Sequence, residues 1–579
     1  MIDFKKKIAE LLDECIEGIS RKEIENMIEI PSESKLGDYA FPCFRLAKLL
    51  RKAPPMIAAE IAGRLQTGDI FEKVEHVNAY VNMFLKKEAL LAAVIHSAMN
   101  EGDRFGHSDI GLNRRVIVEF SSPNIAKPFH IGHIRSTVIG NAINNIYAFL
   151  GYDTLRVNHL GDYGTQFGKM IVAYRKWGSR EEVERTPIKT LLEYYTKFHE
   201  VVETEPELDE EARQTFTKLE KGEAEELALW QWFRDESLKE FSRVYGMLGI
   251  EFDSYAGESF YSDKMERVLR MLKEKGLTSE SEGAQIVNLE AWDMPPALIT
   301  KKDGSTLYIT RDIAAAIYRK EEYDFYKNIY VVASQQNLHF QQWIKIIELL
   351  GLDWAEDCVH VPFGLVSLED GVMSTRAGRV VFLEDVLNRA VERTREIVIE
   401  KNVNTDNIDE TARQVGIGAV IFQELSNSKI KDYIFSWDKI LNFEGETGPY
   451  VQYSHARASS VLRKDETGTA AAMMAAGSGS KPGLALELSY LTGESAYELA
   501  KLLYRFPEVI LEAGEKYEPS ILTRHVVNIA QAFNKFYHDE HILTDNEEEK
   551  LAKLALTAAA RQTIKNGLEL LGMEAPDRM

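Results

Sequence analysis

A short apolar run, Arg115-Val116-Ile117-Val118-Glu119-Phe120, gives way through a polar loop to Ile134, Val138, Ala142, Ile146 and Phe149 at helical spacing, with Gly151 as the stop. A buried strand feeding into a helix is the unit of a parallel sheet, because parallel neighbours need a crossover between them. Further strand-like pieces follow at 154–158, Thr306-Leu307-Tyr308-Ile309-Thr310, Asn328–Ala333, His360–Phe363 and Arg379–Leu383. The expectation is therefore an α/β domain with a parallel sheet over about 106–390. Residues 175–300 read as a mostly helical insertion, and the acidic run Glu203–Glu226 within it as a solvated helix face.

The loop between that strand and helix is Ser121-Ser122-Pro123-Asn124-Ile125-Ala126-Lys127-Pro128-Phe129, and His130-Ile131-Gly132-His133 opens the helix. Backbone N–H groups and the helix dipole favour an anion at such a crossover. Gly132 lets the backbone approach a flat ring or a phosphate, and two imidazoles with the Lys127 ammonium suit a phosphate undergoing reaction. An isolated H-x-G-H is weak, and a lone histidine is more often structural. The coincidence of strand, loop, paired histidines and helix start favours nucleotide chemistry. Zinc is a poor competitor, since no Cys or carboxylate within the motif completes a ligand set. A second polar loop, Val372-Met373-Ser374-Thr375-Arg376-Ala377-Gly378-Arg379, can fold over polyphosphate with Arg376 facing a leaving group. Alone it is a polar turn; with the histidines it becomes the other half of an ATP site.

At 579 residues one core does not suffice, and three or four domains are expected. Residues 1–105 read as a small α+β domain, with helical spacing near Phe4–Leu12, a turn at Ser34–Tyr39 and a strand at Val77–Leu85. Residues 391–579 read as an α-helical bundle, interrupted by a stretch rich in Ala, Gly and Ser at Thr467–Pro482. Cys15, Cys43 and Cys358 are too scattered for a disulfide framework or zinc ribbon and suit a reducing cytoplasm. No run approaches a membrane span, so no membrane partner is expected. The net charge of −22 lowers the expectation of nucleic-acid binding without excluding local basic patches.

The two loops together resemble the HIGH and KMSKS signatures of class I aminoacyl-tRNA synthetases. The wider blocks SSPNIAKPFHIGHIRST, NHLGDYGTQFG, YITRDIAAAIYR, VVASQQNLHF and FEGETGPYVQY, in this order, resemble the arginyl-tRNA synthetase family over nearly the whole chain. HIGH alone identifies only the superfamily, whereas the five blocks are specific. The resemblance implies a Rossmann-type catalytic domain, an N-terminal domain that touches the tRNA elbow, and a helical anticodon-binding domain. It also implies ligation of L-arginine to tRNA(Arg) through an adenylate made from ATP, then transfer to the 2′-OH of the terminal adenosine.

The resemblance assigns Lys127, His130, His133 and Arg376 to catalysis, with Gly132, His339, Met373 and Ser374 as further ATP contacts. Val372 and Thr375 stand where the KMSKS lysines would be, and Lys127 is thought to compensate. Mg²⁺ is expected to accompany ATP, with no dedicated carboxylate cage and no structural metal. For the amino acid, a guanidinium of five planar donors calls for in-plane acceptors. The family pattern supplies Asn124, Asp153, Asn158, Tyr308, Asp312 and Gln336. Plainer roles stand beside these: Asp312 as a helix N-cap, Asp153 as a turn residue, Tyr308 as strand packing. For tRNA, the resemblance points to Tyr450, Tyr453 and Met579. Aromatics at helical spacing otherwise read as core, and Arg457, Arg463 and Lys464 as a solvated face.

A non-catalytic tRNA-binding paralogue is the alternative, and intact His130, His133 and Lys127 count against it. A different class I specificity is disfavoured by Tyr308 and Asp312. Small HxGH nucleotidyltransferases share the phosphate logic but give no reason for so long a helical region. No segment reads as an editing domain, and a monomer is expected.

Overall fold

A computed structural model describes the chain except for residues 32, 66, 67, 69, 301–307, 369–380, 401–404, 406, 441–444, 466–485 and 492. Two compact units emerge, the first made of 1–106, 454–507 and 527–566, the second of 107–453, 508–526 and 567–579.

In the first unit the amino-terminal segment contributes an antiparallel sheet of β1 (Tyr39–Pro42), β2 (Phe71–Val77) and β3 (Tyr80–Leu85), in the order β1-β3-β2. The stretch Val77–Leu85, expected as one strand, spans a hairpin. Asn78 turns the chain at φ 53°, a left-handed conformation that Asn tolerates better than most residues. Helices Phe4–Asp13, Pro54–Arg64 and Lys87–Glu101 accompany the sheet. Within this unit the amino-terminal segment is bonded to late helices. The Tyr504 hydroxyl accepts from Phe4 N at 2.9 Å, the Tyr497 hydroxyl donates to Asp38 at 2.9 Å, and Asn566 donates to the Gly102 and Phe105 carbonyls at 3.1 and 3.0 Å.

The second unit is built on a parallel sheet of β4 (Arg115–Glu119), β5 (Asp153–Val157), β9 (Lys327–Ala333) and β10 (Cys358–Phe363), in the order β10-β9-β4-β5. Val116, Ile117 and Val118 in the central strand are fully buried, as expected of a strand covered on both faces. The helix Ile134–Phe149 packs back on the sheet so closely that a Cβ on Gly140 would overlap the Phe120 ring. Gly151, at φ 82°, ends the turn after it, and a side chain there would crowd Ser108 O at 2.7 Å.

Two expectations need correction. Tyr308-Ile309-Thr310 is not a strand but the first turn of the helix Tyr308–Tyr323, while 306 and 307 lie outside the described residues. The strand-favouring triplet loses to the longer pattern Ile309, Ile313, Ala316, Ile317, which buries one helical face. In Arg379–Leu383 the described part forms only a bridge, at Phe382, before the helix Leu383–Glu400 begins. The insertion, into which the helix Gln166–Trp177 leads, holds the helices Pro187–Val201, Glu207–Glu220 and Ala224–Leu248. It also holds an antiparallel sheet that was not anticipated: β6 (Thr278–Ser281), β7 (Ala284–Val287) and β8 (Ala297–Thr300). Beyond the four-stranded parallel sheet, β11 (Val366–Leu368) pairs in parallel with β12 (Tyr433–Phe435). Among the described residues, no helix is long and apolar enough to cross a membrane.

Candidate active site

The loop after β4 is held in an unusual backbone form. Ser121, Ser122 and Ala126 have φ of 69°, 47° and 57°, in the region that residues with a Cβ seldom occupy. Buried hydroxyls fix it there: Ser136 Oγ accepts from Ser121 N, and Ser237 Oγ from Ala126 N, each at 3.0 Å. The parallel bridge between Asn124 and Gly161 draws in the glycine-rich segment, where a Cβ on Gly161 would sit 2.5 Å from Asn124 Oδ1.

His130 precedes a tight turn, Ile131–His133, that opens the Ile134 helix. Its Nδ1 accepts from Gly132 N at 3.1 Å, and His133 Nδ1 accepts from His130 N at 3.2 Å. A backbone N–H can only donate, so the neutral His130 ring carries its proton on Nε2, while His133 Nδ1 also lies 3.3 Å from His130 O. The rings lie 4.0 Å apart, centroid to centroid. Burial lowers the His130 pKa; burial, then the neighbouring His130, brings His133 down to about 3. At neutral pH both histidines are therefore uncharged, and Lys127 is the cation of the motif.

Tyr308 and Asp312 stand one helical turn apart on the Tyr308 helix, so Asp312 lies inside the helix and is no N-cap. Tyr308 is 60 % exposed. Asp312 accepts from His339 Nε2 at 2.5 Å, and His339 lies in the helix Asn337–Leu349 that follows Gln336. Gln336 follows the carboxyl end of β9, as the histidine loop follows that of β4. In parallel sheets this edge is where ligands bind. Asn158 follows β5 at the same edge but is fully buried, donating to the Tyr245 hydroxyl at 3.0 Å with its Oδ1 unpartnered.

Met373, Ser374 and Arg376 lie outside the described residues. The chain on either side is tied to the histidine motif. Before the gap, β11 packs beside the Ile131–His133 turn; after it, Val381 O accepts from Ile131 N at 3.1 Å and Leu383 N donates to Phe129 O at 2.9 Å.

Asp153 does not join this cluster. It begins β5, opposite Arg115, to which it is ion-paired at 2.6 Å. With Asn158 beyond the far end of that strand, the two are about 16 Å apart at the usual strand rise. Two acidic residues that sequence reasoning passed over do lie at the site. Glu258 pairs with Arg311 at 3.1 Å, and burial raises its pKa to about 7 against the pull of Arg311. Asp312 and Asp162 push it further up and Lys127 pulls it down, so these groups share one electrostatic neighbourhood. Glu119, buried at the end of β4, meets the buried Arg319 at 2.5 Å, and Arg319 in turn lies 3.3 Å from His159 Nδ1. Glu119 had been absorbed into an apolar strand; Glu258 follows a glycine in a stretch with no periodic signal.

Tyr450 and Tyr453 lie in the first turns of the helix Gly448–Arg463, with Tyr453 38 % exposed. Between them Gln452 donates to Glu574 O at 2.9 Å, which brings this helix start alongside the chain end that Met579 closes. Among the described residues no group of three His, Cys, Asp or Glu side chains is placed to hold a metal ion.

Residues 94–437 match the catalytic domain of class I (R) tRNA synthetases, residues 451–579 the DALR anticodon binding domain, and residues 3–85 the arginyl tRNA synthetase N terminal domain. The chain is 58% identical to an arginine–tRNA ligase of Clostridioides difficile and 56% identical to one of Halothermothrix orenii, each over 579 residues and the full length of both chains. Its structure is similar to Thermus thermophilus arginyl-tRNA synthetase, with a TM-score of 0.80 at 25% identity over all of both chains. The arginyl-tRNA synthetase of Plasmodium falciparum shares the fold, with a TM-score of 0.79 at 24% identity, over all of this chain and 99% of that one.

Proposed function

The chain belongs to the arginyl-tRNA synthetase family of class I enzymes, and from that premise we propose which of its residues run each half-reaction. It is an ATP-dependent arginine–tRNA ligase, with arginine and tRNA(Arg) as its other substrates.

In the first step an arginine carboxylate oxygen attacks the α-phosphorus of ATP, and the bond to pyrophosphate breaks with its electron pair. No covalent nucleophile is needed from the protein, only alignment and charge stabilisation. Lys127 supplies positive charge, and His130 and His133 donate from Nε2 to the phosphate oxygens. Gly132 leaves room for the nucleotide. Arg376, Ser374 and Met373 are assigned to the pyrophosphate and adenine side on sequence grounds, and His339 to the nucleotide beside the guanidinium pocket. Mg²⁺ arrives on the ATP phosphates, with water completing its shell. Asp312 and Tyr308 grip the guanidinium, with Asn124, Asn158 and Gln336 as polar contacts. In the second step the 2′-OH of the terminal adenosine attacks the activated carbonyl, and AMP leaves.

The amino-terminal 1–105 segment is assigned to the tRNA elbow and 391–579 to the anticodon, with Tyr450, Tyr453 and Met579 near the unpaired bases. Stacking there would contribute about 1–3 kcal/mol per base. We place the enzyme in the cytoplasm as a monomer.

The observation that supports this reading most is the 2.5 Å bond between His339 and Asp312, which joins the nucleotide and guanidinium sides. Aminoacylation of bulk tRNA with each amino acid in turn tests it. Charging with arginine alone is expected. Charging with lysine or glutamine instead would overturn the specificity, and tRNA binding without charging would mark a non-catalytic paralogue.

A further inference from the structure

Arg135 is the second residue of the helix that begins immediately after His133, and its side chain is fully buried. A guanidinium persists in a core only when its donors are used. Here Nη1 donates to Gly364 O at 3.0 Å and to Lys431 O at 2.6 Å, and Nη2 to Ser428 O at 3.2 Å. The nearest carboxyl group, Glu424, is as deeply buried but stands 3.9 Å from Nε, and Nε itself has no hydrogen-bond partner. Glu424 is held instead by the Tyr433 hydroxyl, whose ring lies 5.1 Å beneath the guanidinium. A cation that needed only neutralising would sit against the carboxylate. This one gives its well-formed bonds to backbone carbonyls on two separate segments.

Those segments lead into β11 and β12. They are also bonded to each other: Gly364 N donates to Lys429 O at 2.8 Å, and Leu365 N to Asp432 Oδ1 at 2.6 Å. A Cβ on Gly364 would stand 2.6 Å from that same carboxylate oxygen, so the approach is as close as chain geometry allows. Glu518 grips the same stretch from another side, accepting from Lys429 N at 3.2 Å and Ser428 Oγ at 3.3 Å. β11 in turn packs beside the Ile131–His133 turn.

We propose that Arg135 is a positioning residue for the activation step. By clasping the Gly364, Ser428 and Lys431 carbonyls it sets the register of the β11–β12 pair against the helix that His133 precedes. The proposal rests on the reading of Lys127 and His133 as phosphate-binding groups. Arg135→Lys keeps the charge, but its donors leave a single nitrogen and cannot reproduce the span of Nη1 and Nη2 across the two segments.

ATP–pyrophosphate exchange with tRNA present, beside thermal unfolding, separates positioning from mere stability in the full chain. Glu424→Gln leaves the clasp intact, so it is expected to lower Tm while kcat stays within about twofold. Arg135→Lys is expected to lower Tm comparably but kcat by at least about tenfold, with the arginine KM unchanged. Asp432→Ala loosens β11 from an exposed position and should lower kcat in the same direction. Equal kcat in Arg135→Lys and Glu424→Gln at matched Tm would overturn the proposal. If Arg135→Lys does not fold, an unchanged kcat in Asp432→Ala does the same. His133→Ala is the control: retained activation there would sink the site reading itself, whereas its loss beside an active Arg135→Lys would sink this inference alone.

Discussion

His339 Nε2 lies 2.5 Å from a carboxylate oxygen of Asp312. The family pattern gives these two residues to different substrates, His339 to ATP and Asp312 to the arginine side chain. Under the function proposed above, their contact would join the two substrate sides near the carboxyl end of β9. His339 takes one carboxylate oxygen of Asp312, and the proposed function gives the other to the guanidinium.

Asp312→Asn should therefore raise the arginine KM in pyrophosphate exchange and leave the ATP KM within about twofold. A hydrogen bond to a charged group contributes about 1.5–3 kcal/mol, which corresponds to roughly 10- to 150-fold. An unchanged arginine KM would remove Asp312 from the guanidinium pocket.

Lys127→Ala removes the one cation of a motif whose two histidines are neutral at pH 7. The expected loss in kcat for adenylate formation is about 10²- to 10³-fold, the range seen when a single charge-stabilising donor is lost. The tRNA Kd, measured by filter binding, should not move. Equal losses in activation and tRNA affinity would take Lys127 off the phosphates.

Much of this architecture was legible as periodicity. The β4–loop–Ile134 helix succession is where the chain predicted it, because an apolar strand and a helical stripe of isoleucines carry different periods. Tyr308–Thr310 misled for a local reason: three strand-favouring residues open a helix whose stabilising face lies further along. The β6–β8 sheet gave no warning, since Thr278–Ser281 exposes most of its side chains and shows no apolar alternation. Glu119 was hidden among strand residues, and Arg319, its buried partner, is 200 positions away. Asp153 failed on length, since counting back along an extended strand carries a residue to the opposite edge of the sheet.

Asp153→Ala accordingly should leave the arginine KM unchanged. Its partner Arg115 is about one-third exposed, and the pair sits at the sheet edge away from the histidines. A surface ion pair of this kind contributes about 0–1 kcal/mol, so the urea midpoint should shift only slightly. A rise in arginine KM would restore Asp153 to the substrate pocket and require β5 to be repaired in a different register.

The neutral His133 ring makes a pH prediction with a definite sign. Burial depresses its folded pKa to about 3, while the unfolded chain titrates near 6.5. Between those values the unfolded state binds more protons, so the contribution to stability is complete above pH 6.5 and is lost as pH falls toward 3. His133→Asn removes this proton linkage and should flatten the fall. Between pH 7.5 and 5.5 the difference amounts to about 1.4 kcal/mol, read from urea unfolding of both proteins at each pH. Glu258 and Glu424, whose pKa values burial raises to about 7 and about 8, pull in the opposite direction, but they are present in both proteins and cancel in the comparison. Parallel pH profiles for wild type and variant would mean that the His133 ring takes up a proton freely in the folded state. The motif would then present a second cation to ATP, and the weight placed on Lys127 would fall accordingly.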